Sequence, residues 1–162
     1  MDALTLVITI LQLLCGLAVI VIVLFQSGKS AGLSSAMSAK ENGADFILGS
    51  DPDADRVGIM VRTKEDDFVV ISGNQTGVLL LDYLIGAMKR SGKLPEKPVA
   101  LKTIVTTEMA RKVAEANGVT CCDTFTGFKF MAEKMNELES AGKNTVIFSY
   151  EESYGYMIGH YV

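Results

Sequence analysis

The chain has 162 residues, 49% of them apolar and 21% charged, a size and composition that exclude both a large multidomain enzyme and a disordered segment. Fifteen Lys and Arg against 19 Asp and Glu give a net charge of -4 and a pI near 5.0, so no basic surface exists for a phosphate backbone and nucleic acid is excluded as a partner. Three cysteines, two adjacent (Cys121 and Cys122) and one in an apolar run (Cys15), give neither a disulfide framework nor metal-ligand spacing.

From Leu4 to Phe25 there are 22 residues without a charge, interrupted only by Thr5, Thr9, Gln12 and Gly16. As a helix they rise about 33 Å at roughly 1.5 Å per residue, and the expectation is one transmembrane helix. Asp2 and the absence of Lys or Arg before the run argue against a cleaved signal peptide. The first cations, Lys29 and Lys40, follow the helix, which places the amino terminus outside. The expected location is therefore the cytoplasmic (inner) membrane, single-pass through residues 4–25, with the C-terminal domain in the cytosol. Gln26 to Ala36 is small and polar, without a helical or strand period, and reads as a flexible linker.

The run Val21 to Ala36, VIVLFQSGKSAGLSSA, resembles SecG, the small hairpin subunit of the Sec preprotein translocase. That resemblance covers the amino-terminal quarter and implies half of a SecG, with the Sec translocase as partner. The second helix of that family has no counterpart, since Val78 to Met88 is too short and carries Asp82.

Near Ala39 the composition changes, and Lys40, Glu41, Asn42 and Gly43 mark a boundary at about residues 38 to 42. Beyond it, strands are expected at Asp45–Leu48, Arg56–Thr63, Phe68–Ser72, Val99–Val105, Val119–Cys122 and Thr145–Tyr150. Helices are expected at Thr76–Arg90, Glu108–Asn117 and Phe128–Ser140. Lys64 to Asp67 reads as a hairpin turn. Phe128, Met131, Met135 and Leu138 share one helical face, so the methionines are core filler. The β-α-β-α-β-α-β run predicts an α/β fold, a doubly wound, mostly parallel sheet with helices on both faces. Ligands in such sheets bind at the carboxyl ends of the strands.

Two loops carry chemistry. In Gly49-Ser50-Asp51-Pro52-Asp53-Ala54-Asp55-Arg56-Val57-Gly58 three carboxylates alternate between two strands, and hard oxygen donors at that spacing suit Mg²⁺. An EF-hand is excluded: counted from Asp51, the sixth position is Arg56 instead of glycine and the twelfth is Arg62 instead of glutamate. An acidic surface turn is the plainer alternative. The second loop, Ser149-Tyr150-Glu151-Glu152-Ser153-Tyr154-Gly155-Tyr156, sets carboxylates and hydroxyls at a strand's carboxyl end, where they suit the hydroxyls of a sugar; a polar turn is again the alternative.

Four ordered segments, GSDPDADRVG from Gly49, SGNQTGVLLLDYLI from Ser72, TGFKFM from Thr126 and YEESYGY from Tyr150, resemble the α-D-phosphohexomutases, the phosphoglucomutases and phosphomannomutases, over residues 39–162. The form of the first and last segments looks most like the bacterial α-phosphoglucomutase and phosphopentomutase branch. The resemblance implies that Asp51, Asp53 and Asp55 ligate Mg²⁺, that the catalytic Arg56 stands beside the transferred phosphoryl group, and that Glu151, Ser153 and Lys129 bind a hexose phosphate. It further implies residues 39–71 as the end of a second domain with the metal loop and 72–162 as a third domain, after a membrane helix and linker over 1–38. The family's donor serine lies in a Thr-Ala-Ser-His-Asn-Pro type segment, which these 162 residues do not contain. The expected function is therefore a fragment of a phosphoglucomutase-type isomerase interconverting glucose 1-phosphate and glucose 6-phosphate, inactive alone. The alternatives are a SecG-like accessory subunit and a membrane-tethered sugar-phosphate binding module.

Overall fold

The computed structural model describes residues 3–25, 38–140, 142 and 144–160. The chain divides into two compact units, Met1–Ala44 and Asp45–Val162.

In the first unit, α1 runs over Ala3–Phe25. The expected membrane span does not hold: among the described residues no helix is long and apolar enough to cross a membrane. Polar groups interrupt the apolar stretch, and Thr9 Oγ1 donates back to the Thr5 carbonyl at 2.8 Å. The inner-membrane location, the single pass and the membrane as a partner through residues 4–25 are corrected with it. Residues 26–36 of the SecG-like stretch, where a flexible linker is expected, lie outside the described residues.

The second unit holds two sheets. β1 (Phe46–Ser50), β2 (Val57–Arg62) and β3 (Phe68–Ile71) form an antiparallel sheet in that order. β2 and β3 meet through the expected turn, where Thr63 N–H donates to the Asp67 carbonyl at 2.7 Å. The expectation of a single parallel run that includes Phe68–Ser72 is corrected here, because β3 pairs antiparallel with β2 instead. A four-residue link (Lys64 to Asp67) suits a hairpin, whereas parallel neighbours need a crossover of a dozen residues or more.

The second sheet has the order β5-β4-β6-β7, from β4 (Pro98–Thr103), β5 (Thr120–Thr124), β6 (Thr145–Tyr150) and β7 (Tyr156–Ile158). β4 pairs parallel with β5 and β6, and β7 adds antiparallel to β6. Of three helices, α2 (Gly73–Arg90) links the first sheet to β4, and α3 (Met109–Ala116) and α4 (Phe128–Ser140) supply the crossovers. Ser72 starts α2 with a capping box: its hydroxyl accepts from Gln75 N–H while Gln75 Oε1 accepts from Ser72 N–H.

Helices cover both faces. Leu81 and Ile85 of α2 and Ala110 and Ala114 of α3 pack on Ala100, Cys121, Phe148 and Tyr150. Met131 and Met135 of α4 pack on Val99, Leu101, Val146 and Met157 opposite. A β-strand turns alternate side chains to opposite faces, so Val99, Ala100 and Leu101 serve the two cores in turn.

α2 lies so close to β6 that a Cβ on Gly77 would overlap the Tyr150 ring, whereas one on Gly86 would meet only the tip of Arg90 at 3.2 Å. Two glycine substitutions in one helix should therefore have opposite signs in urea unfolding followed by far-UV circular dichroism. Gly77→Ala is expected to destabilise by about 1–3 kcal/mol through overpacking. Gly86→Ala is expected to stabilise by about 0.5–1 kcal/mol through the unfolded chain's lost freedom.

Candidate functional site

The loop from β1 to β2 carries the three aspartates. Ala54 takes φ 60 and its N–H donates to the Asp51 carbonyl at 3.1 Å, a tight turn that folds the loop inward. Arg56 N–H donates to Asp51 Oδ1 at 3.1 Å. One carboxylate oxygen from each of Asp51, Asp53 and Asp55 lies within 4.8 Å of the others. Asp55 Oδ1 is occluded from solvent with no hydrogen-bond partner, and Arg56 Nε stands 3.7 Å away. Burial, the hydrogen bond with Asp51 and the charges of Asp53 and Asp51 push the Asp55 carboxyl above its usual range. Burial acts in the same sense on Asp51, but hydrogen bonds from the Arg56 backbone and from Asp55 and Asp53 outweigh it and hold that carboxyl low. Converging hard oxygens with one acceptor unpaired form a donor set that fits a small divalent cation.

The loop from β6 to β7 carries Glu151 and Ser153. Glu151 is nearly buried; its Oε1 accepts from Gly127 N–H at 2.6 Å and its Oε2 accepts from Ser153 Oγ at 3.0 Å. Tyr154 sits at φ 70, and the loop closes where Glu151 N–H donates to the Gly155 carbonyl at 2.9 Å. A Cβ on Gly155 would stand 2.5 Å from Cζ of Phe128, so only glycine lets this loop lie on α4.

The two loops touch. Arg56 and Gly155 form an antiparallel bridge, and Val57 N–H donates to the Tyr154 carbonyl at 3.2 Å. The clasp thus joins the loop that carries Asp51, Asp53, Asp55 and Arg56 to the loop that carries Glu151 and Ser153. Lys129 stands in the first turn of α4, two residues after Gly127. Its amine lies 3.9 Å from Glu133 Oε1 and 6.0 Å from the Phe130 ring centroid, and the Thr126-Gly127 stretch reaches Glu151 through Gly127 N–H.

Sequence reasoning missed a charge cluster built around a buried lysine at the carboxyl end of β4. Lys102 is 1% exposed, and its amine lies 2.8 Å from Glu108 Oε1 and 2.9 Å from Asp123 Oδ1. Arg111 closes the cluster onto Glu108 Oε2 at 3.0 Å and Asp123 Oδ2 at 2.6 Å. Burial pulls the Lys102 amine down, but its hydrogen bonds to Glu108 and Asp123 prevail and hold it above the usual lysine value. Hydrogen bonds from Lys102 and Arg111 hold Glu108 low. A lysine inside an otherwise apolar strand, Pro98-Val99-Ala100-Leu101-Lys102, was the available signal. Beside the cluster, an open groove of about 460 Å³ runs along Ile104, Asp123, Thr124, Phe125, Phe130 and Glu133. None of the residues expected from sequence lines it.

Residues 72–162 match the family model described as phosphoglucomutase/phosphomannomutase, alpha/beta/alpha domain III. A phosphoglucomutase of Staphylococcus epidermidis is 38% identical over 119 residues, covering 74% of this chain and 21% of the relative. The chain thus spans about a fifth of the length of the curated relatives it matches. Among solved structures, a phosphoglucomutase/phosphomannomutase family protein from Burkholderia thailandensis aligns with a TM-score of 0.56 at 17% identity, covering 76% of this chain and 23% of that one. The N-acetylphosphoglucosamine mutase of Aspergillus fumigatus, in complex with GlcNAc-6P and magnesium, aligns with a TM-score of 0.56 at 16% identity, covering 76% and 24%. These two likenesses show the fold. The family match begins at residue 72, so the amino-terminal SecG-like segment falls outside it.

The charged cluster has a pH signature. Glu108 is lowered in the fold, so its contribution is complete above its ordinary value of 4.5 and is lost as pH falls through the lower folded value. Lys102 is raised, so its contribution is complete below 10.5 and is lost as pH rises through the higher folded value. The cluster's own contribution to stability is expected to be level between those limits and to fall beyond both. In melting temperature followed against pH, Glu108→Gln should make the acid limb shallower and also reduce the alkaline fall, because Lys102 loses its main partner and keeps only Asp123; an unchanged acid limb would count against the pairing.

Proposed function

Because the chain belongs to the phosphoglucomutase/phosphomannomutase family, we propose that residues 45–162 carry the Mg²⁺ site and the hexose grip of a phosphoglucomutase-type isomerase, as a fragment without its phosphoryl donor. The clasp between the loops carries this reading. It joins the loop of the carboxylate triad to the loop of Glu151 and Ser153, which supports one hexose phosphate meeting both. On this reading residues 39–71 are the end of a second domain and 72–162 a third.

Asp51, Asp53 and Asp55 would hold the ion, each offering one carboxylate oxygen. A bound Mg²⁺ supplies charge neutralisation at the phosphoryl group. Arg56, adjacent to the triad and half-exposed, lends a fixed positive charge to phosphate oxygens as charge moves onto them. Glu151, already oriented by Gly127 and Ser153, accepts from the sugar hydroxyls, and the Ser153 hydroxyl both donates and accepts. Lys129, exposed at the start of α4 and only loosely held by Glu133 at 3.9 Å, offers a positive charge to the substrate. No residue here is placed as phosphoryl donor, and phosphoryl transfer through a covalent intermediate needs one.

Two measurements check this. Calorimetry of the full chain should show saturable binding of Mg²⁺, weakened at least about tenfold by Asp53→Asn, as loss of a metal-site group typically does. A coupled assay with glucose 1-phosphate, Mg²⁺ and the bisphosphate activator should show no mutase activity; a rate within about a thousandfold of a full-length phosphoglucomutase would refute the fragment reading.

A further inference from the structure

We propose that Lys102 is a positioning residue for the sugar-binding loop, acting through the Thr103–Thr106 turn on Glu152. The Lys102 amine is buried amid four acceptors. Besides the Glu108 and Asp123 carboxylates, it donates to the Thr106 carbonyl at 3.2 Å and the Thr103 carbonyl at 3.4 Å. Those two carbonyls bracket a turn that Thr106 N–H closes onto the Thr103 carbonyl at 3.0 Å. The ammonium therefore fills the inside of the turn.

The outside of the same turn presents two buried hydroxyls. Thr103 Oγ1 and Thr106 Oγ1 lie 2.6 Å apart, and they donate to Glu152 Oε2 at 3.0 and 3.2 Å. Glu152 is next in the chain to Glu151. The carboxylate that tethers the loop is thus one residue from the carboxylate offered to the sugar. The path Lys102, turn, Glu152, Glu151 is continuous at hydrogen-bond distance from a strand of the rigid sheet to the loop.

A stabilising role alone does not account for a buried ammonium. A well-packed apolar side chain of similar volume often serves stability as well as a buried ion pair does. What methionine lacks is directional donation to the two carbonyls that shape the turn. Removing Lys102 also leaves no carboxylate orphaned, because Arg111 still pairs Glu108 at 3.0 Å and Asp123 at 2.6 Å. Lys102→Met should fold.

The test is amide hydrogen exchange by NMR on the ¹⁵N-labelled full chain, comparing wild type, Lys102→Met, Glu152→Gln and the double variant. Lys102→Met is expected to speed exchange at residues 151–155 about tenfold while the β6 amides keep their protection. Glu152→Gln should do the same, and the double variant should do no more than either, since both cut one path. Wild-type exchange at 151–155 in Lys102→Met, additive effects, or an unfolded Lys102→Met would each overturn the assignment. A ligand arm rests on the proposed function: affinity for glucose 6-phosphate should fall about tenfold in Lys102→Met. If the wild-type chain binds no glucose 6-phosphate, the hexose reading fails, and the exchange comparison still decides the role of Lys102.

Discussion

The second unit depends on a short backbone contact, the bridge between Arg56 and Gly155 with its hydrogen bond from Val57 N–H to the Tyr154 carbonyl. It joins an antiparallel sheet to a mainly parallel one at the points where each releases one of the two polar loops. Without it, three aspartates and a sugar-type loop would be separate features of separate sheets. The clasp requires local conformations that few residues adopt. Ala54 and Tyr154 both take positive φ, and Gly155 lies against the Phe128 ring where no Cβ fits. Strained or sparsely populated backbone persists only where its surroundings over-determine it, and such residues cluster at working sites.

Behind the clasp, the parallel sheet gives the loop a rigid base. β4 is buried along its whole length, with helices on both faces, and it ends in Lys102 and Thr103. Polar chemistry in so dry a place must be paired, and it is: ammonium to carboxylates and carbonyls, hydroxyls to Glu152. Glu151 is fixed from the other side by Gly127 N–H. The sugar-type loop is therefore held from β4, from the start of α4 and from the metal-type loop together.

Much of this was legible in the sequence where one strong local signal decided the outcome. The methionine and phenylalanine period placed α4 at Phe128–Ser140, as observed. The alternation of short β-rich runs with helical patterns gave the layered α/β unit. Pairing partners were less legible. β3 looks like any other β-rich run, and only the hairpin turn before it tells that it pairs backward. β7 is three residues long, too short to carry a period. In the site, the Asp-x-Asp-x-Asp spacing was readable because alternation in a loop has few geometric solutions. The cluster at Lys102 was not, since burial of a lysine depends on Glu108, Arg111 and Asp123 arriving from other elements. The membrane span expected from residues 4–25 is not met, since among the described residues no helix is long and apolar enough to cross a membrane.

The central claim is that the aspartate triad and the Glu151–Ser153 loop form one site. Paramagnetic broadening by Mn²⁺, substituted for Mg²⁺ in the labelled full chain, reads this directly. Amides of residues 51–57 and 151–156 should broaden together and recover together when Mg²⁺ is added in excess. Broadening confined to 51–57, or absent from both loops, would contradict the account.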